Sequence, residues 1–131
     1  MIVFSDAEEL VVRHVADTLA ERGQDVHVGT HVPHPRPTPF VLARRLGGPR
    51  RDMVTDLPEI GFECWAATAV EAHDLAQLCR AISFGMRGRA IGGVAVYRVD
   101  EIGGPAQLPD PISDEPRYVF THQIAMRGRA A

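Results

Sequence analysis

The sequence predicts an α+β fold: a two-layer sandwich in which a mainly antiparallel sheet of four or five strands carries two helices on one face, in the order α-β-β-β-α-β-β. Three observations lead there. Two segments, each opened by a Ser/Thr-x-x-Glu box, repeat apolar residues with the helical period. Runs of alternating apolar residues lie around them, punctuated by paired glycines and prolines that turn the chain tightly. Two amphipathic helices can cover only one face of a sheet built from such hairpins. A length of 131 residues suits one domain, residues 1–131.

The first helix spans residues 6–22. Ser5-Asp6-Ala7-Glu8 sets a hydroxyl and a carboxylate where each can satisfy a free amide. Val12, Val15, Ala16 and Leu19 then follow at i, i+3, i+4 and i+7, with Glu9, Arg13 and Asp17 alternating in sign on the flank. Gly23 stops the helix. Residues 25–32 alternate weakly around Val26 and Val28 and read as a short strand. Pro33, Pro35, Pro37 and Pro39 remove amide donors at every second position, which excludes a helix or central strand and leaves a stiff extended connector.

A strand over residues 40–46 closes in the turn Gly47-Gly48-Pro49, and a polar stretch runs to Leu57. Residues 59–67 form the clearest strand, with Ile60, Phe62, Cys64 and Ala66 inward and Glu63 and Trp65 on the opposite side. The box Thr68-Ala69-Val70-Glu71 opens a second helix with the stripe Leu75, Leu78, Cys79, Ile82 and Met86, ended by Gly85 and Gly88. Gly92-Gly93 precede a strand over residues 94–99, and Gly103-Gly104-Pro105 turns the chain again. Residues 107–115 lack periodicity. The last strand, residues 117–126, places Tyr118, Phe120, Ile124 and Met126 on one side.

Composition narrows the function classes. Apolar residues make up 45% and charged residues 24%, ordinary values that exclude wholesale disorder. The net charge is −3 and all 14 basic residues are arginine, without the basic excess usual where nucleic acid is the main partner. No apolar run approaches the roughly 18 residues of a membrane span, and no signal-peptide pattern opens the chain. Two cysteines, Cys64 and Cys79, are too few to staple a secreted domain, so the expectation is a soluble domain made in a reducing cytosol, with both thiols acting as buried small hydrophobes.

Catalytic and metal chemistry find little footing. No nucleophile elbow, zinc-protease helix or phosphate-binding glycine loop occurs. His27 and His31 would stand about 13 Å apart along a strand, and no nearby Cys or Glu completes a ligand set with His34. The expectation is a chain without enzymatic activity, metal or cofactor.

Surface features point instead to association. Trp65 and Val119, with either Tyr97 or the Val94/Val96 pair, fall on the sheet face that the helices leave bare, and Leu10 and Phe84 lie outside the helical stripes. Aromatic residues on an uncovered sheet mark contact surfaces. Arg44, Arg45, Arg50 and Arg51 flank one turn as a basic rim for phosphates or an acidic partner, or as solubilising charge. A five-residue echo, Met86-Arg87-Gly88-Arg89-Ala90 and Met126-Arg127-Gly128-Arg129-Ala130, is too short to define a repeat architecture.

The assembled pattern resembles the tail terminator (tail completion) proteins of long-tailed bacteriophages and prophages. The resemblance rests on the capped first helix and the Val-Pro connector, then Phe40-Val41-Leu42-Ala43-Arg44-Arg45-Leu46-Gly47-Gly48 and Trp65-Ala66. Beyond the Ala-rich helix it continues through Val94-Ala95-Val96-Tyr97, Asp110-Pro111 and Pro116-Arg117-Tyr118-Val119-Phe120-Thr121. It implies an α+β subunit of a six-fold ring at the head–tail junction of the virion, synthesised in the host cytoplasm. The ring would cap the tail tube, end its polymerisation and receive neck or connector proteins, while DNA passes transiently through its bore. It implies no enzymatic residues, and the His-rich connector departs from the pattern.

On that reading Trp65, Leu10, Phe84 and Val119 lie between subunits, and Arg44, Arg45, Arg50 and Arg51 face a neighbour or the bore. Trp65→Ala is then expected to weaken assembly without unfolding the subunit. The alternatives are a neck or head-completion protein, and a small-ligand or nucleic-acid-binding module that uses the sheet as a platform, whose affinity for DNA or RNA would be salt-sensitive.

Overall fold

Along the chain the elements are β1 (Ile2–Val3), α1 (Ala7–Glu21), β2 (His27–Gly29), β3 (Phe40–Gly47), β4 (Thr55–Asp56), β5 (Glu59–Trp65), α2 (Ala69–Phe84), β6 (Arg89–Ile91), β7 (Val94–Gln107), β8 (Arg117–Arg127) and β9 (Arg129–Ala130). They are defined by a computed structural model that describes all 131 residues. The fold is α+β, with two helices and a mixed, strongly curled sheet. The main sheet runs β2-β3-β5-β8-β7-β6, with β4 also on β8, and β1 pairs β9 in a separate ribbon. The expected four or five strands are thus seven, and β2 joins β3 in parallel because the proline connector carries the chain back to its starting end.

The first helix begins one residue later than its box suggests. Asp6 is the N-cap and its carboxylate accepts from the Glu9 amide at 3.2 Å. Glu8, the acidic member of the box, instead accepts from the Arg45 amide at 2.8 Å and ties the helix start to β3. The buried stripe is Ala7, Val11, Val15 and Leu19 rather than one through Val12 and Ala16, which are half-buried. Adjacent valines at 11 and 12 offer two overlapping stripes, and packing on β3 selects one. The second helix starts as its box dictates, with the Thr68 hydroxyl accepting from the Glu71 amide at 3.1 Å and Gly85 at the C-cap.

Between Val94 and Gln107 the chain does not turn at Gly103-Gly104-Pro105. It continues as one 14-residue strand whose register against β8 shifts on either side of Gly103. Strand β6 pairs only with residues 94–96, so beyond them the outer side of β7 is a free edge, where proline and glycine bulges are tolerated. The tight turn falls earlier, at Gly92-Gly93, both with positive φ (54° and 81°), as a two-residue hairpin requires.

Helix α1 packs on β2 and β3, α2 on β5, β7 and β8, and the helices touch each other. Beneath them lies a core of 20 buried residues, with Phe62 and Phe120 stacked at 4.5 Å between ring centres. Cys64 and Cys79 are free, buried neighbours. The contact with Cys79, reinforced by burial, pushes the Cys64 thiol well above its ordinary range, which keeps it unreactive.

Candidate assembly surfaces

The opposite sheet face is not bare at its Trp65 end. The indole is only 2% exposed and forms a second small core with Phe40 and Leu42, against which Val32 packs. Two irregular segments close over it. From the proline connector, the Arg36 guanidinium lies 4.8 Å from the indole ring centre. From the segment between β7 and β8, the Asp110 carboxylate accepts from the indole N–H at 3.1 Å and pairs with Arg36 at 3.4 Å. Arg36 also bridges to Glu115, joining the two segments. Backbone amides of Ile112 and Ser113 also donate to Asp110, and together with the indole and Arg117 they hold its carboxyl below the usual range, the Ile112 bond contributing most.

The expected solvent exposure of Trp65 is therefore overturned: the indole is covered within the subunit. Alternation had placed the indole on the correct face, but neither covering segment has a period from which its path could be read. Leu10 is likewise half-buried against the helix-side core. Phe84 is 39% exposed and Tyr97 40% exposed, whereas Val96 is buried and Val94 half-buried, so Tyr97 is the exposed member of that pair of choices. Val119 is half-buried on the outer face, opposite Glu63 and Ala106.

The four arginines of the 44–51 turn separate into different roles. Arg45 grips both Asp56 carboxylate oxygens (2.9 and 3.2 Å) and the Gly47 and Gly48 carbonyls, so its guanidinium is committed within the chain, not free on the rim. Arg44 is exposed, 3.8 Å from Glu63, which Arg117 holds at 2.7 Å. Arg50 and Arg51 project from the turn beside exposed Met53 and Val54. That loop is ordered: the Asp52 carboxylate accepts from the Val54 amide at 2.9 Å, the main reason its carboxyl sits below the ordinary range. The Arg51 amide donates to the Thr55 carbonyl and the Gly128 amide to the Val54 carbonyl.

At the other end of β3 and β5, a groove of about 430 Å³ opens between the link from α1 to β2, the end of the connector and α2. Val26, Pro39, Leu75 and Leu78 form an apolar floor, and Glu71 and Asp74 stand exposed at its rim.

One polar cluster escaped sequence reading. His122 is wholly buried on the helix side. Its Nε2–H donates to Glu101 at 3.2 Å, so its Nδ1 accepts from the Ser83 hydroxyl at 2.7 Å. Arg80 grips the same glutamate through two contacts of 2.7 and 2.6 Å. Burial outweighs the carboxylate and lowers the His122 pKa, holding the ring neutral. The signal was the parity of the last strand, since His122 falls midway between inward Phe120 and Ile124. Ser83, His122 and Glu101 follow the order of a nucleophilic triad, but Ser83 and His122 are both fully enclosed, so the hydroxyl meets no substrate.

No three His, Cys, Asp or Glu side chains converge to hold a metal ion, and His27 stacks on Phe40. No helix is long and apolar enough to cross a membrane.

The subunit thus combines an α+β fold with an enclosed Ser83–His122 pair, ordered charged loops and exposed apolar edges. The chain is a member of the phage tail termination protein family, whose model matches residues 3–131, nearly its whole length. The expected family is thus established. It is a family of structural virion components with a tail-completion role, whose members work with other tail and head parts. No curated protein matches the chain.

Proposed function

We propose that this chain folds as one domain and assembles into a six-fold ring that caps the tail tube at the head–tail junction. There it stops tube polymerisation and presents a surface to neck proteins. The observation that carries this reading is the family match over residues 3–131. Surface physics supports it. The free edge of β7 bears exposed Ile102, and Leu108 and Tyr97 add exposed apolar area nearby. Unpaired edges and apolar flanks of that kind invite pairing with further chains, and closed rings need such heterologous contacts. Phe84, exposed at the end of α2, and Val119, half-buried on the outer sheet face, remain interface positions on different sides of the subunit. Trp65 acts from within, by holding the shape of the outer face, while half-buried Leu10 lines an open groove beside Ile91 and Val94 on the helix side. Arg44, Arg50 and Arg51 face a neighbour or the passing DNA.

The test is tube growth. Purified protein added to polymerising tail-tube protein is expected to arrest elongation, with the final tube length falling as its concentration rises. Unchanged tube length at saturating protein contradicts the reading.

A further inference from the structure

Two features at opposite ends of the same strand pair match each other. The groove lies at the Phe40 end of β3, where β5 gives way to Ala66, Ala67 and α2. The Arg50–Arg51–Met53 loop lies at the Gly47 end, and the eight residues of β3 set the two roughly 25 Å apart at about 3.3 Å per residue. The groove combines an apolar floor with a rim bearing two exposed carboxylates, Glu71 and Asp74. The loop combines an apolar tip, Met53 being 65% exposed, with the exposed guanidinium groups of Arg50 and Arg51, the latter resting 3.5 Å from the exposed Asp52 carboxylate in a long surface pair that a stronger partner can replace. Neither can satisfy the other within one chain, because β3 holds them at its opposite ends.

We infer that the 50–54 loop of one copy seats in the groove of the next, Met53 on the floor of Val26, Leu75 and Leu78 and Arg50 and Arg51 on Glu71 and Asp74. Opposite ends of one subunit thereby become the two halves of a head-to-tail contact, the arrangement from which closed rings are built. Methionine suits the tip, since its flexible thioether fills an irregular apolar recess. Asp52 holds the loop shape before contact, so little ordering is lost on docking. Charge sets the register: a copy presented groove to groove or loop to loop meets like charges. This contact rests on the proposed ring and specifies how neighbouring subunits meet.

The full chain tests it by sedimentation velocity, alone and on tail-tube ends. Arg50→Glu with Arg51→Glu, and separately Glu71→Arg with Asp74→Arg, are each expected to weaken self-association at least tenfold. All four positions are exposed, and circular dichroism checks that the fold is kept. Mixing the two variants in equal amounts is expected to restore assembly as an alternating ring, because each loop then finds a groove of opposite sign. A chain carrying Met53→Cys and Ala67→Cys is expected to form disulfide-linked ladders on oxidation, the native thiols being buried. Wild-type assembly that the charge reversals leave unchanged, or that the mixture does not recover, overturns this contact and spares the ring. A wild type that stays single even on tube ends overturns both.

Discussion

The two faces of the sheet are closed in different ways. On one, two capped helices lay regular stripes over Phe62, Phe120 and Ile124, and the deeply buried pair His122 and Ser83 satisfy each other, His122 being bonded at both ring nitrogens. On the other, Phe40, Leu42 and Trp65 are sealed by two irregular segments joined through Arg36, Asp110 and Glu115. The helical cover relies mainly on buried apolar area, which is non-directional. The loop cover relies on a few directional bonds, each hard to replace. A subunit built this way is closed by area on one side and by specific polar contacts on the other.

Substitutions can break or sharpen that contrast. The largest effect is expected from Phe62→Ala, which removes half of the stacked pair from the helix-side core and should cost about 4 kcal/mol in urea unfolding. Trp65→Ala should follow at about 3 kcal/mol, because the cluster around it is smaller than the helix-side core and leaves fewer packed neighbours around the cavity. A loss below about 1 kcal/mol would mean that the loop cover adds little.

Asp110→Ala should cost about 2 kcal/mol, since it leaves the indole N–H and two backbone amides without their acceptor. As the chain has one tryptophan, the same variant should red-shift its emission if the cover loosens. The smallest effect concerns pH. The His122 pKa is lowered by burial, so folding is favoured in full above the ordinary histidine value of about 6.5 and weakens as pH falls through and below it. His14, lowered chiefly by burial and then by Arg89, adds in the same direction. His122→Gln should flatten the dependence of the unfolding midpoint between pH 7 and 5.

How much was legible in the sequence follows the same division. Both helices, the β3 and β5 strands and the inward parity of Phe62, Cys64 and Phe120 followed from capping and period, because these are local properties of the chain. The 103–105 turn was misread because glycine and proline signal a break, while tertiary context supplied a free edge on which a bulged strand continues. Strands β1, β4 and β9 are two residues each, too short to carry a period. The burial of Trp65 depends on contacts 45 residues apart, from Trp65 to Asp110, through segments with no pattern to follow. Arg45 looked like a surface charge for the same reason, its partner Asp56 lying across a turn of unknown shape.

The central claim is that these subunits close a tail tube by meeting one another in a ring. Cryo-electron microscopy of tubes grown with the protein tests it most directly. The account predicts one ring of six subunits at a single end of each tube, with the 50–54 loop of every subunit against the α2 groove of its neighbour. Bare tube ends, or protein scattered along the tube walls as separate copies, would contradict it.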